Sequence, residues 1–206
     1  MLLSSLALGG GLVHIGSCYR GPRWLFYVTK PGTMLVMLAM AWQLGALDSH
    51  YGQWLLAGLG LSLVGDVFLM LPKDRFIPGL VSFLLAHVCY VVAFAVDGLA
   101  FTPALLLLLG AAGAGVLALL WPHLRELKVP VSVYVLVILA MAWTAGERWL
   151  VQQNDGALLA FAGALVFMAS DTTLALDKFR RPFPAAQAVI MATYFAAQWL
   201  LVLSLA

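Results

Sequence analysis

Runs of roughly twenty apolar residues, broken only by short clusters of charge, proline and glycine, recur along this whole chain. They fall at about 1–19, 31–47, 52–71, 77–96, 99–121, 129–146, 156–176 and 184–206. A bilayer core ~30 Å thick is crossed by about 20 apolar residues in a helix. Backbone in lipid must also satisfy its hydrogen bonds internally. The expected fold is therefore all-α, a polytopic membrane helix bundle of about eight transmembrane helices in a single domain over 1–206. Composition agrees: 64% of the residues are hydrophobic and 10% charged, whereas a soluble domain carries about a quarter charged residues. So much apolar surface cannot be hidden inside one small soluble core.

The positions of the charges orient the bundle. Ten of the eleven basic residues (Arg20, Arg23, Lys30, Lys73, Arg75, Arg125, Lys128, Lys178, Arg180 and Arg181) fall between spans 1–2, 3–4, 5–6 and 7–8. Arg148 alone falls on the other side, between spans 6 and 7. The positive-inside rule puts the basic side in the cytoplasm and both termini outside. Short loops suggest a bacterial inner membrane. No basic segment precedes the first apolar run, which reads as a retained span rather than a cleaved signal. A formal net charge of +2 is no argument for nucleic acid, and none is expected as a partner. Cys18 and Cys89 lie in different segments and read as unpaired buried thiols.

The chain also repeats itself. Val36–Trp42 reads VMLAMAW and Val137–Trp143 reads VILAMAW, an offset of 101 residues. Gly65-Asp66 and Ser170-Asp171 recur at 105, Tyr90 and Tyr194 at 104. Leu69 and Leu174 follow their aspartates by three, and Phe76 and Phe179 come after each. Two tandem four-helix repeats, about 1–98 and 99–206, are expected. An even number of spans gives both copies the same orientation, unlike inverted transporter repeats.

Asp66 stands six residues before Pro72 and Asp171 six before Asp177, so each lies ~9 Å inside the basic end of its helix. A carboxylate at such depth is costly, faces the bundle interior and marks a site. Two acids sharing a low-dielectric interior favour one protonated and one ionised form, the division an acid–base hydrolase needs. The bland alternative is that they only lock helices, hydrogen-bonded to Ser62 or Ser170. His87 and Tyr90 share a face of the fourth helix, as Tyr194 and Gln198 do of the eighth; these groups orient a substrate or water, or simply tie helices together. Lys30, before Pro31 at the basic start of the second span, binds a lipid phosphate or snorkels to the headgroups. Tyr134 occupies the comparable position of the sixth. The four histidines are scattered, with no HExxH, HxxxH or CxxC pairing, so no metal is expected. Nucleotide loops and a GxSxG elbow are also missing.

Several of these residues fall into one pattern. Gly65-Asp66-Val-Phe-Leu-Met, Phe76, and Gly79 through His87 to Tyr90 resemble the YhhN family of multi-pass membrane proteins. So do Ser170-Asp171, Leu174-Ala175, Lys178-Phe179, Met191-Ala-Thr-Tyr194 and Gln198, with Lys30-Pro31 and Tyr134. The resemblance covers about residues 30–200. It implies a lysoplasmalogenase, which hydrolyses the vinyl ether of lysoplasmalogens to a fatty aldehyde and a glycerophospho-alcohol. On that expectation Asp66 and Asp171 are catalytic. Lys30, His87, Tyr90, Tyr134, Tyr194 and Gln198 bind substrate, the partners are a lysophospholipid and membrane lipids, and no cofactor is needed. The other readings of the buried acids are a proton-coupled lipid or small-solute transporter and a scaffold without chemistry.

Overall fold

The computed structural model describes residues 2–72 and 75–206. Eight long helices follow in order: α1 (Leu2–Tyr19), α2 (Arg23–Gln43), α3 (His50–Met70), α4 (Phe76–Ala95), α5 (Pro103–Leu120), α6 (Lys128–Gln152), α7 (Asp155–Ala175) and α8 (Ala186–Leu203). A π-helical turn, Leu176–Arg180, continues α7. All eight segments are long and apolar enough to cross a membrane, and the described residues contain no strand. The chain is an integral membrane protein with an all-helical fold. Lys73, part of the basic side in the sequence, lies outside the described residues.

Caps set several helix ends. Ser49 Oγ accepts the Gly52 N–H at 3.0 Å at the start of α3, and Asn154 Oδ1 accepts that of Ala157 at 2.8 Å at the start of α7. Each satisfies a donor that the first helical turn leaves open. Gln153, with φ 48°, closes α6 in the left-handed conformation.

Two spans differ from the sequence expectation. Helix α2 begins at Arg23, not 31, and carries Pro31 inside it. Proline removes a donor and crowds the preceding turn, which is why a start was expected there. The helix continues through the proline, as spans in lipid can, and two threonine hydroxyls, one on either side of it, bond carbonyls of the same helix. Thr29 Oγ1 donates to the Leu25 carbonyl at 2.7 Å and Thr33 Oγ1 to that of Thr29 at 2.8 Å. The sixth span, expected over 129–146, extends to Gln152, so Arg148 is a buried helical residue and not part of a loop. Its charge is tolerated because it is paired, as described below.

Helices α3 and α4 pack closely, as do α7 and α8; α4 also packs against α6, and α8 against α1. Two glycines of α3 permit the close approach of aromatic rings from α4. A Cβ at Gly58 would stand 2.3 Å from the Tyr90 ring, and one at Gly65 2.7 Å from that of Phe83. Gly11 and Gly113 lie against Phe195 and Leu139, while Gly9 and Gly110 face open space. Helix α5 packs mainly on α6 and turns Leu107 and Leu108 outward, toward lipid. Phe83, Tyr90, Phe167 and Tyr194 meet edge-on or tilted in the bundle centre. That aromatic floor supports both aspartates.

Candidate functional site

Asp66 sits near the end of α3 with its side chain 1% exposed. From α2, the Lys30 ammonium lies 2.9 Å from its Oδ1. From α8, the Tyr194 hydroxyl donates to Oδ2 at 2.7 Å. Two buried charges thus meet each other, with a phenol on the remaining oxygen, the arrangement that makes a carboxylate tolerable at this depth. Lys30 does not snorkel. It is 5% exposed, and its ammonium is engaged by Asp66.

Asp171, in the corresponding place on α7, has a different neighbourhood. The Tyr134 hydroxyl, from α6, donates to its Oδ2. The His87 Nε2 lies 3.8 Å from the same oxygen, beyond hydrogen-bond distance. No lysine or arginine pairs with Asp171 among the described residues. Its side chain is 15% exposed, enough for a bound molecule to touch it. The serines of the helix-locking alternative turn elsewhere: Ser170 Oγ donates to the Ile190 carbonyl at 3.0 Å, and Ser62 Oγ stands 3.5 Å from the Tyr90 hydroxyl.

Both aspartates line one cavity of about 430 Å³, as do Lys30, Tyr134 and Tyr194. The size suits a small organic ligand or the reactive part of a lipid. Its inner walls are largely aliphatic and aromatic, with Leu120, Val131, Ile138 and Met168 among them. It reaches the end of the bundle where α3 joins α4 and α7 joins α8, past Arg75, Asp177 and Lys178. His87, Tyr90 and Gln198 do not line it. They form the layer behind: His87 packs on Phe167 with ring centres 4.7 Å apart, and the Tyr90 hydroxyl donates to Gln198 Oε1 at 2.9 Å.

Two lining residues carried no role in the sequence reading. His14 and Cys18 border the cavity from α1; His14 Nδ1 is 2.9 Å from Thr29 Oγ1, and its Nε2 is 3.8 Å from Cys18 Sγ. Their i, i+4 spacing was the available signal. Cys18 is half-buried, Cys89 buried, and both are free thiols.

At the opposite end lies a second polar cluster. The Glu147 carboxylate accepts from the Thr102 N–H at 2.9 Å and from its hydroxyl at 3.1 Å. The Arg148 guanidinium sits 4.0 Å above the Tyr51 ring and 3.4 Å from Asp97 Oδ2. This cluster joins helix ends, and the aspartate cavity does not extend to it.

Comparison with known proteins gives a consistent result. The YhhN family model matches residues 25–205. The Uncharacterized membrane protein YhhN of Escherichia coli O6:H1 is 38% identical over 94% of this chain and 93% of its own length. Human Lysoplasmalogenase TMEM86B is 38% identical over 88% of this chain and 75% of its own. For human Lysoplasmalogenase TMEM86A the identity is 37%, over 89% and 79%. No solved structure matches.

Proposed function

The chain belongs to the YhhN family, and from that premise we propose that it is a lysoplasmalogenase-like hydrolase, cleaving the vinyl ether of a lysoplasmalogen by means of Asp66 and Asp171. One observation carries the reading: a carboxylate paired with a lysine and a carboxyl without a cation line one cavity large enough for the reactive part of a lipid. The relatives named lysoplasmalogenase supply the reaction.

The two settings divide the work. Asp66, held beside the Lys30 ammonium, serves as the carboxylate. Asp171, facing a phenol and an imidazole in an apolar wall, carries a proton, because a buried carboxyl without a cation is least costly when neutral. Asp171 gives that proton to the outer carbon of the enol ether, leaving an oxocarbenium ion that the ionised Asp171 and Asp66 stabilise. Water adds to the cation and passes a proton to Asp66. As the hemiacetal collapses, Asp66 returns this proton to the departing glycerol oxygen and Asp171 takes the hydroxyl proton. Aldehyde and glycerophospho-alcohol leave, and both acids are restored. Tyr134 and Tyr194 fix the carboxyl orientations through their hydroxyls. His87, Tyr90 and Gln198 act from behind, holding α4 and α8 in register. We place the basic end in the cytoplasm of a bacterial cell and both termini outside.

Aldehyde release by the purified protein in detergent tests this proposal. In D2O the product should carry one solvent deuterium on the carbon next to the carbonyl. Release without any membrane gradient separates a hydrolase from a proton-coupled transporter. Intact lysoplasmalogen after prolonged incubation with folded protein would refute the enzyme.

A further inference from the structure

The sequence reading offered Lys30 to the lipid phosphate, but in the structure that ammonium is 2.9 Å from Asp66 and buried. A second cation here would have to come from elsewhere on the cavity. Among the described residues its open end offers them: Arg75 and Lys178 both line it, and both are exposed to solvent. They come from different halves of the chain. Arg75 is the residue before the first turn of α4. Lys178 lies in the π-helical turn that prolongs α7, a feature frequent at functional sites. The segments that carry them meet through Phe76, the residue after Arg75. Lys178 Nζ stands 4.9 Å over the Phe76 ring, and Phe76 meets Phe179 edge-on with centres 5.7 Å apart. Asp177 shares this rim, but its Oδ1 accepts the Phe183 N–H at 3.1 Å, which ties down the loop before α8.

We propose that Arg75 and Lys178 form the phosphate-binding rim of the cavity, gripping the headgroup phosphate of a single-chain ether phospholipid while its vinyl ether reaches Asp171. The inference rests on the lysoplasmalogen reading above and deepens it. Distance supports it. Lys178 follows Asp171 by seven residues, two helical turns or about 10 Å along the axis, and both line the cavity. In the lipid, seven bonds separate the carbon to be protonated from phosphorus. Such a chain spans about 8 Å, by the same bond geometry that gives a polypeptide about 3.5 Å per three bonds. A phosphate on the rim therefore delivers the enol ether to the acid and leaves the alkenyl chain among the aliphatic side chains beyond it. Two cations on the singly charged phosphodiester make charge-assisted contacts that position as well as attract.

The test uses the full-length purified protein in neutral detergent. Binding is measured by tryptophan fluorescence with a 1-alkyl lysophosphocholine, whose saturated ether cannot be cleaved, and with the matching 1-alkylglycerol, which lacks phosphate. The Arg75→Gln/Lys178→Gln variant should bind the phospholipid about tenfold more weakly and the alkylglycerol as wild type does. Arg180→Gln, a nearby exposed cation outside the cavity lining, should change neither. Inorganic phosphate at millimolar concentration should displace little lipid; full displacement would mark a free-anion site and overturn the headgroup assignment. In turnover of a lysoplasmalogen, the double variant should raise KM about tenfold with kcat within about threefold, and Arg75→Lys should recover most of its share. Unchanged phospholipid binding by the double variant, or equal weakening by Arg180→Gln, would also overturn it. Should phospholipid binding follow the predicted pattern while no aldehyde ever forms, the rim stands and the hydrolase reading falls.

Discussion

The two halves of the bundle hold their aspartates by different means. In the first, the second helix presents Lys30 to Asp66; in the second, the comparable place on α6 presents Tyr134 to Asp171. The ammonium stabilises a full negative charge, whereas the phenol can hydrogen-bond a carboxyl in either protonation state. Exposure differs in the same sense, 1% for the Asp66 side chain and 15% for that of Asp171. Two aspartates on one cavity thus differ, one ion-paired and almost fully buried, the other without a cation and more open to the cavity. Acid–base catalysis at one pH asks for two carboxyls in unlike environments. In the proposed mechanism, the difference between these two settings supplies them.

Breaking the ion pair from one side should have the largest effect. Asp66→Asn leaves Lys30 buried without a counter-charge and should cost about 3–5 kcal/mol of stability together with the activity, read by chemical or thermal unfolding and by aldehyde release. A Lys30→Met/Asp66→Leu double variant removes both charges. It should regain most of that stability and none of the activity, since apolar replacement of a buried pair is often neutral or better. Stability as low in the double as in the single variant would show that shape, not charge, governs the site.

The comparison sharpens if one half is made to imitate the other. Tyr134→Lys sets an ammonium beside Asp171 and converts it to a second ion-paired carboxylate. The protein should stay folded while kcat falls about a hundredfold or more, the usual range for losing a general acid. Wild-type turnover in this variant would mean that the proton comes from another group. A milder change is Tyr194→Phe, which removes one donor from Asp66 and should slow turnover about tenfold, equivalent to one hydrogen bond to a charged group. The smallest effect is expected behind the cavity. Tyr90→Phe loses its bond to Gln198 and should lower stability by about 1 kcal/mol, with kcat/KM within about threefold of wild type.

The membrane bundle was plain from the apolar runs, because lipid imposes both the length and the helical form of a span. Its boundaries were less so. Pro31 reads as a start only where water can take the freed carbonyl, and Arg148 reads as a loop residue only until its partners Asp97 and Tyr51 are known. Asp66 and Asp171 were legible because an acid deep in an apolar run is conspicuous. Their partners were not. That Tyr194 crosses from α8 to reach Asp66, or that Lys30 spends its charge there, depends on how helices distant in sequence pack. Spacing on one helix put His87 and Tyr90 together correctly, yet could not say that they stand behind the cavity wall. Arg75 and Lys178 looked like any basic loop residues until the cavity was seen to end between them.

The most direct test is the rate of aldehyde release from a lysoplasmalogen by purified Asp171→Asn protein in detergent, beside wild type. Asparagine matches the shape, keeps the Tyr134 neighbour and strands no buried cation, so thermal unfolding should shift by only a few degrees. The rate should fall at least about a thousandfold. A folded Asp171→Asn protein that turns over near the wild-type rate would contradict the assignment of Asp171 as the proton donor.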